Sequence, residues 1–413
     1  MLTVGEARDK IASSLKVLNE NTRLEEGKGE TIEAQNSLGR ILFEDIYSPL
    51  KLPPFSRSTV DGYAVKAEDT YGVSESFPGV FSLAGSVLMG ESPCVEAGRD
   101  EVVEIATGGM LPKGTDAVVM LEETELLGED SVLINKPVSP GENVIKAGDD
   151  VKKDEKVLGK GHLVRKQDLG ALAALGITEL KVFKSPKIGI ISTGDEIVSP
   201  GEELSPGKIR DINTWALKGA VEESGAVPLV YGICPDDEKE VEKYLKYALK
   251  EAEAVILSGG SSVGEKDVTA DVIDLLGNPG VIFHGVSLKP GKPTIYGMVE
   301  GKPVFGLSGN PVSALVTFDL FVKEAINMLQ GKKWPAPEKK VRGKLTRNLS
   351  SRGGREDYVR VKLEENDRGE LEVIPILGEA GLIFTLVEAQ GLLKIEQNTE
   401  GIASGEEVEV ILT

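Results

Sequence analysis

Histidine and cysteine are scarce in this 413-residue chain, which contains two of each. His162 and His284 are the only histidines, and Cys94 and Cys234 lie far apart in the sequence. Zinc sites need several such ligands, and Ser/His or Cys/His nucleophilic systems need a histidine beside the nucleophile, so both kinds of chemistry are disfavoured. The cysteines are interpreted as reduced structural thiols rather than as a disulfide framework. Any metal is therefore expected to be a hard cation bound by carboxylates.

Long apolar runs are lacking as well. No stretch approaches the roughly 20 apolar residues that a membrane-spanning helix needs. The N-terminal segment MLTVGEARDK has no basic head followed by an apolar stretch, so no signal peptide is predicted. We therefore expect a cytoplasmic protein with no membrane partner.

Basic residues are outnumbered by acidic ones, 47 to 67, which gives a net charge of −20. Such a charge argues against nucleic acid as a partner, because phosphates attract basic surfaces. An anionic small molecule would have to be bound locally by backbone amides, helix N-termini and a few lysines.

The pattern of the chain predicts an α/β protein with several domains. Thr3 and Glu6 form a capping box that opens an amphipathic helix. Strands alternate with helices between residues 185 and 331, which is the pattern of a mostly parallel, doubly wound sheet. WPAP at 334–337 is predicted to be a rigid linker, and alternating runs beyond it predict a small β-barrel or sandwich.

These patterns divide the chain into four predicted domains. They are a discontinuous helical and mixed N-terminal domain (1–45 and 141–184), a β-rich domain inserted into it (46–140), a doubly wound α/β domain (185–331) and a C-terminal β-barrel (338–413).

Three glycine-containing loops follow predicted strands of the α/β domain, where open sheets of this type bind ligands. TGDE at 193–196 follows the first strand, SGGSSVGEKD at 258–267 the third, and SGNP at 308–311 the last. Glycines let backbone amides approach an anion, and helix N-termini add positive charge. One such loop is often only a turn, but three on one sheet edge predict a site for a phosphate-bearing ligand.

The segment PPFSRSTVDGYAV at 53–65 resembles the signature loop of the molybdopterin molybdenumtransferases, which insert the metal in the last step of molybdenum cofactor synthesis. The same unit forms the C-terminal enzymatic part of gephyrin. Further segments resemble other loops of this family: IATGGMLPKGTDAVVM at 105–120, GENVIKAGDD at 141–150, GGSSVGEKD, KPGKP at 289–293 and SGNPVSA. The resemblance extends from the first helix to about residue 330. It implies a molybdopterin-binding α/β domain, which the family shares with the sister enzyme that adenylylates molybdopterin.

The resemblance also implies roles for particular residues. Asp61, Thr107, Glu196 and Asp267 fall on catalytic positions. Glu196, Asp236 and Asp267 would hold Mg²⁺ jointly with substrate phosphate, although Asp236 is equally compatible with a plain helix start. The implied substrate-binding residues are Asp150, Ser258, Gly259, Gly260, Ser261, Gly264, Lys289, Lys292, Ser308, Gly309, Asn310 and Pro311.

The chain departs from the family pattern at several anion contacts. The arginine-rich run is reduced to Ile145-Lys146-Ala147, Gly285 stands where a lysine is common, and Ser308 replaces a proline. In GEAGLIFTLVEAQGL, only Thr385 supplies the hydroxyl that a serine provides in the family. These differences leave tungstate open as an alternative to molybdate.

The implied function is a transferase that inserts molybdate into adenylylated molybdopterin with Mg²⁺-dependent release of AMP. A homodimer is implied too, because in the family the DGYAV and TGGM loops meet the TGDE and GGSSVGEKD loops of the other subunit. Two alternatives stay open at this stage. Adenylylation of molybdopterin by ATP would leave the DGYAV loop without a role, and a non-catalytic molybdopterin-binding scaffold would leave the acids without one.

Overall fold

The computed structural model describes residues 1–21, 29–259, 267–332 and 338–413. The predicted WPAP linker at 334–337 lies outside these residues. The chain divides into two compact units: unit 1 contains Met1–Phe43, Gly161–Arg165 and Leu180–Thr413, and unit 2 contains Glu44–Lys160 and Lys166–Glu179. Both units are discontinuous in sequence. The four domain boundaries inferred from the sequence are finer than this division and stay predictions.

The first part of the chain holds one long helix, many short strands and a second helix. In order they are α1 Val4–Asn21, β1 Gly29–Glu33, β2 Ile46–Tyr47, β3 Arg57–Ser58, β4 Gly62–Val65, β5 Gly79–Val87, β6 Glu101–Ile105, β7 Ala117–Met120, β8 Thr124–Leu126, β9 Ser131–Ile134, β10 Val144–Ile145, β11 Lys156–Leu158, α2 Lys166–Ala174 and β12 Glu179–Phe183. The predicted capping box is confirmed: Thr3 N donates to Glu6 Oε2 at 2.8 Å, and Glu6 N donates to Thr3 Oγ1 at 3.2 Å.

Strands and helices alternate in the central part of the chain. They are β13 Lys187–Thr193, β14 Ile197–Val198, β15 Ile209–Arg210, α3 Asn213–Glu223, β16 Val227–Cys234, α4 Glu238–Glu251, β17 Ala254–Ser258, α5 Val268–Leu276, β18 Gly280–His284, β19 Leu288–Lys289, β20 Ile295–Val299, β21 Lys302–Leu307, α6 Pro311–Thr317, a π-helical turn Phe318–Val322 and α7 Lys323–Leu329. The described C-terminal part contains β22 Lys340–Leu345, β23 Leu349–Ser350, β24 Glu356–Glu365, β25 Leu371–Pro375, α8 Phe384–Val387, β26 Gly391–Ile395, β27 Gly401–Ile402 and β28 Glu407–Leu412.

The central sheet of unit 1 has the strand order β16-β13-β17-β21-β20-β18. The first four strands are parallel, and β20 and β18 are antiparallel to their neighbours. Residues from α1, α3 and α6 cover one face, and residues from α4 and α5 cover the other. The predicted doubly wound α/β domain is confirmed. Because the four parallel strands run in one direction, the loops after β13, β17 and β21 emerge at the same edge.

The C-terminal strands close into a small barrel in the order β24-β25-β22-β28-β26, with β26 pairing back to β24. The predicted C-terminal barrel is confirmed. Its interior is apolar, with Val361, Val373, Leu393 and Val410 at its centre. Among the described residues, no helix has the length and apolar character needed to cross a membrane.

Unit 2 is built on a six-stranded sheet with the order β7-β4-β6-β5-β9-β8. Apolar residues pack on both faces, with Tyr63 and Val65 on one and Ala64 and Val103 on the other. This sheet agrees with the β-rich character expected for residues 46–140, and their place as an insertion into a discontinuous domain stays a prediction. Strand β4 follows directly from Asp61, so the sheet fixes the place where the DGYAV segment starts.

Gly62 in β4 packs against the neighbouring strand so closely that an added Cβ would lie 1.9 Å from Val119 O. We expect Gly62→Ala to destabilise unit 2 by about 2 kcal/mol or more, because the clash is with backbone. Gly170 in α2 has open space around it, so Gly170→Ala should instead stabilise the same unit by about 0.5–1 kcal/mol. Calorimetric melting of the two variants tests this contrast. Equal melting temperatures would contradict the close approach at Gly62.

Candidate functional site

Three of the segments singled out in the sequence meet on one side of unit 2. Ser58 N donates to Gly109 O at 3.0 Å, and Gly108 N donates to Ser58 O at 2.8 Å, which ties the TGGM turn to the entry of DGYAV. Thr59 N donates to Asn143 O at 2.9 Å and brings in the GENVIKAGDD loop. These segments, distant in sequence, therefore form one continuous surface.

Asp61 and Thr107, both predicted to be catalytic, are in direct contact on this surface. Asp61 Oδ1 accepts hydrogen bonds from Thr107 N at 2.6 Å and from Thr107 Oγ1 at 2.9 Å. The Thr107 backbone N–H, followed by its hydroxyl, lowers the pKa of Asp61 below its usual value. Both residues are exposed. The pair therefore presents an ionised carboxylate to solvent in a fixed orientation.

Asp150 lies on the same side of unit 2, but its surroundings differ from those of Asp61. Its backbone N–H donates to Leu52 O at 3.0 Å, and its side chain is exposed. The carboxylate that closes the preceding turn is Asp149, whose Oδ2 accepts from Lys146 N at 2.7 Å. Because Asp149 takes the structural role, the Asp150 side chain is left available for the substrate contact predicted for it.

The lowered pKa of Asp61 leads to a pH-dependent stability prediction. Since the folded-state pKa lies below the unfolded value, the stabilisation is complete above the unfolded pKa and is lost as pH falls through the folded pKa. The melting temperature of Asp61→Ala should therefore lie below that of the wild type at pH 7, and the difference should shrink as pH is lowered through 4 to 3, on the order of the usual aspartate pKa. A Thr107→Val variant, which keeps the backbone donor, should show a smaller difference. A gap between wild type and Asp61→Ala that widens on acidification would contradict this assignment.

In unit 1, the carboxyl ends of β13, β17 and β21 lie side by side, as the sequence predicted, and Gly259 is the described start of the loop after β17. Gly259 N donates to Leu307 O at 3.2 Å. Gly259 has a φ of +120°, and a Cβ there would lie 2.0 Å from Thr193 O, so only glycine fits. Pro311 occupies the first turn of α6 and Asn310 is its N-cap residue. The predicted binding residues Gly260, Ser261 and Gly264 lie outside the described residues.

Asn213, the first residue of α3, connects two of these loops. Its Nδ2 donates to Ser258 Oγ at 2.8 Å and to Gly309 O at 2.9 Å. Sequence reasoning assigned this residue only to a helix. Asp211, Asn213 and Thr214 at this helix start are all polar and buried, but the local sequence is that of an ordinary helix start and did not mark Asn213.

The acids predicted from the α/β domain fall into two groups. Asp195, Glu196 and Asp236 are neighbours: Asp236 N donates to Asp195 Oδ1 at 3.3 Å. Desolvation raises the pKa of Asp236, and the negative charges of Asp195 and Glu196 raise it further. This loop end therefore brings three carboxylates together, and Lys208 Nζ is bound at its backbone through Asp195 O.

Asp267 has a different environment. Its Oδ1 accepts from Ala270 N at 3.2 Å and so caps α5, while its Oδ2 lies 3.3 Å from His284 Nε2. Burial raises the pKa of Asp267, and the Ala270 amide and His284 act in the opposite direction. Asp267 therefore stabilises a helix start in addition to any role in the site.

A basic cleft of about 950 Å³ lies beside the SGNP loop in unit 1. We define it by Lys289, Lys292, Ser308, Asn310 and Arg360, which all line it. Arg360 is only 8% exposed. It donates to Gly378 O at 2.7 Å and to Thr385 Oγ1 at 3.1 Å, and its Nε has no hydrogen-bond partner among the described residues. Burial lowers the pKa of Arg360, and its described hydrogen-bond partners are a carbonyl and a hydroxyl oxygen, not a carboxylate.

The whole chain matches one protein family. Models described as "MoeA N-terminal region (domain I and II)", "Probable molybdopterin binding domain" and "MoeA C-terminal region (domain IV)" match residues 2–176, 189–328 and 342–413. A molybdopterin molybdenumtransferase of Haemophilus influenzae is 36% identical over 412 residues, which cover 99% of this chain and 98% of the relative. The chain belongs to the molybdopterin molybdenumtransferase family.

Solved structures agree with this membership. A molybdopterin biosynthesis MoeA protein of Pyrococcus horikoshii superposes with a TM-score of 0.81 at 39% identity, covering 97% of this chain and 98% of the other. A second MoeA structure from that organism gives a TM-score of 0.85 at 33% identity, with both chains fully covered. The predicted family, the transferase class and the role in molybdenum cofactor biosynthesis are thereby confirmed.

For a molybdenumtransferase, the most important residue missed in the sequence is Arg360. The alternating run YVRVKL predicts only a strand of the C-terminal β-domain. In the barrel, however, Asp357, Tyr358, Arg360 and Val361 are all buried. Arg360 shares a face of β24 with Tyr358, opposite to the face that carries the barrel residue Val361. Nothing in the local pattern distinguished this arginine from an exposed one.

Whether this molybdenumtransferase could bind Mg²⁺ depends on three neighbouring carboxylates, those of Asp195, Glu196 and Asp236. Within the described residues, no three His, Cys, Asp or Glu side chains are arranged to hold a metal by themselves. Mg²⁺ usually takes only one or two carboxylates and completes its shell with substrate phosphate and water. Burial raises the pKa of Asp236, and the charges of Asp195 and Glu196 raise it further. These neighbouring carboxylates are donors of the type that Mg²⁺ takes, so the residues present fit the ion only if substrate phosphate and water complete its shell. The assignment of Glu196, Asp236 and Asp267 as metal ligands stays a prediction.

Proposed function

We propose that this molybdenumtransferase inserts molybdate into adenylylated molybdopterin and releases AMP, with Mg²⁺ held at the Glu196 and Asp236 loop ends. The observation that carries the proposal is the buried guanidinium of Arg360, which faces a cleft lined by Lys289 and Lys292 in a chain of net charge −20. A buried cation without a carboxylate partner is costly unless an anion completes its environment. An oxoanion such as molybdate supplies that charge and several acceptor oxygens.

The other proposed substrate contacts belong to the strand-end loops. Backbone amides of the SGNP loop after β21 favour the phosphate groups of the substrate. Asp61 and Thr107 present a fixed, ionised carboxylate from unit 2. Mg²⁺, when bound, would neutralise charge that develops on the phosphate oxygens. The contribution of the chain is to orient the substrate, exclude water and bind the two anions.

Each of the two alternative functions leaves a feature of the structure without a role. Adenylylation by ATP gives no role to the joined surface of Ser58, Asp61, Thr107 and Asn143 in unit 2. A scaffold without turnover gives no reason for the costly group of Asp195, Glu196 and Asp236.

The direct test is to incubate the purified protein with adenylylated molybdopterin, Mg²⁺ and molybdate and to measure AMP. We expect AMP release to require both ions, and parallel reactions with tungstate determine the anion preference. AMP release without added oxoanion would contradict the proposed coupling. In a separate reaction with molybdopterin, ATP and Mg²⁺, formation of adenylylated molybdopterin would establish the alternative activity.

We also propose that the active form is a homodimer. The support is family membership, since the resemblance implies that DGYAV and TGGM of one subunit meet TGDE and GGSSVGEKD of the other. Mixing an Asp61→Ala variant with an Asp267→Asn variant should then restore part of the activity that each lacks, because one composite site would be intact. A monomer in light scattering at micromolar concentration, with no restoration on mixing, would rule this arrangement out.

A further inference from the structure

Asn213 holds together two substrate-side loops although it belongs to neither of them. Ser258 ends β17 and Gly309 follows β21, and the Asn213 amide nitrogen donates to both at 2.8 and 2.9 Å. A third, longer contact of 3.5 Å reaches Ser308 O. A single side-chain amide therefore sets the separation between the ends of two neighbouring strands.

The orientation of the Asn213 amide follows from its partners. Gly309 O and Ser308 O are carbonyl oxygens that only accept hydrogen bonds, so the nitrogen must face them. The oxygen Oδ1 consequently points away, and it is buried with no hydrogen-bond donor among the described residues. Burial of an unpaired carbonyl oxygen costs free energy. A residue needed only to fill space would not carry this cost.

The start of α3 is itself anchored, so Asn213 is held in place. Asp211 Oδ1 accepts from Thr214 N at 3.0 Å and from Ser192 Oγ at 3.2 Å. Ser192 lies in β13, directly opposite Ser258 in β17. The polar contacts therefore run from β13 through the first turn of α3 to the loops after β17 and β21.

We propose that Asn213 is a positioning residue for substrate binding: it holds the Ser258 and Ser308–Gly309 loop ends at the separation that the phosphate-bearing pterin substrate requires. This role rests on the proposed function. Because Asn213 acts through the loops and contributes no reacting group, its loss weakens binding of the ground state and of the transition state to a similar extent. Such a loss raises KM and leaves kcat nearly unchanged.

The test compares Asn213→Ala and Asn213→Asp with the wild type in steady-state AMP release. Asn213→Ala removes the link, and Asn213→Asp places a carboxylate oxygen against Gly309 O. We expect KM for adenylylated molybdopterin to rise about tenfold or more in both, with kcat within about threefold. Asn327→Asp is the matched control, since Asn327 is 7% exposed in the same unit and its Oδ1 keeps its bond from Lys332. The control should keep the wild-type KM.

Unchanged KM in both folded Asn213 variants would overturn the proposal. If these variants do not fold, Ser258→Ala removes one end of the link, and a KM within error of wild type would overturn it equally. If the wild type releases no AMP, the proposed function fails separately. The positioning role is then judged by direct binding of molybdopterin: tenfold weaker binding by Asn213→Ala supports it, and equal binding overturns it.

Discussion

Replacement of Arg360 by methionine should reduce AMP release by about 100-fold, the order of magnitude lost when one preorganised donor to a developing charge is removed. The guanidinium is buried, and its Nε has no hydrogen-bond partner among the described residues. One of its donors is therefore still available to bind an anion. Methionine has a similar length and no charge. We expect the KM for molybdate to rise, because the lost interaction is with the oxoanion.

The folded state should tolerate this change. The substitution removes the desolvation cost of a buried charge and also the hydrogen bonds to Gly378 O and Thr385 Oγ1. These effects oppose each other, so the melting temperature of Arg360→Met should stay within a few degrees, on the order of 1 kcal/mol. Arg342→Met is the control in the same barrel, since Arg342 is exposed and pairs with Glu409 at 2.9 Å. The control should release AMP at the wild-type rate. Full activity of Arg360→Met at low molybdate concentration would remove the basic cleft from the proposed mechanism.

The second large effect is expected at the acids after β13 and β16. Asp236→Asn and Glu196→Gln should each reduce AMP release by about 100-fold and shift the Mg²⁺ dependence to higher concentration. They should not destabilise the protein. The folded-state pKa of Asp236 is raised, so its ionised form is penalised above that pKa, and at neutral pH the amide removes the penalty.

Thermal melts with and without Mg²⁺ give a second readout of these variants. A ligand that binds only the folded state raises the melting temperature, so Mg²⁺ should stabilise the wild type more than Asp236→Asn. Asp237→Asn is the matched control: it removes the same charge one residue away, and asparagine can still cap α4, where Asp237 accepts from Lys239 N at 3.0 Å. Equal Mg²⁺ responses of Asp236→Asn and Asp237→Asn would show that the ion binds elsewhere.

Asp267 needs a different substitution because it has two roles. Asp267→Ala should lose about 1 kcal/mol of stability, since the cap on Ala270 N is removed. Asparagine is as good a cap as aspartate, so Asp267→Asn should keep this stability and lose only the negative charge. A loss of AMP release in Asp267→Asn without a change in melting temperature would assign the carboxylate to the reaction.

The order of strands and helices could be predicted because local sequence patterns specify each element. Apolar runs such as KIGIIS and AVILS, each followed by a helical period, are typical of buried parallel strands. The closure of the C-terminal strands and the loops at the β13, β17 and β21 ends follow from the same reasoning. The reversed direction of β20, which is antiparallel to both β21 and β18, did not follow, because strand direction depends on pairing partners that no local pattern specifies.

The candidate site was predictable where short motifs mark it and not where distant residues complete it. Asp61 and Thr107 were found through motifs 46 residues apart, and their hydrogen bonds appeared only in the structure. Arg360 and Asn213 lie in ordinary strand and helix patterns, and their importance comes from what surrounds them in space. Burial and hydrogen-bond partners of a single side chain are tertiary properties, which explains why both residues were missed.

The contact between α1 and the π-helical turn has a consequence for the order in which the chain acquires its structure during synthesis. Arg8 Nε donates to Leu320 O at 3.2 Å across 312 residues, and β1 pairs with β12. At about 5–20 residues per second, a ribosome needs roughly 15–60 s to bring Leu320 out after Arg8. All of unit 2 emerges within that interval and is free to fold. The first helix, in contrast, cannot complete its packing until the residues around Leu320 have been synthesised. The amino-terminal end of this protein is thus among the first segments made and among the last to reach its native contacts.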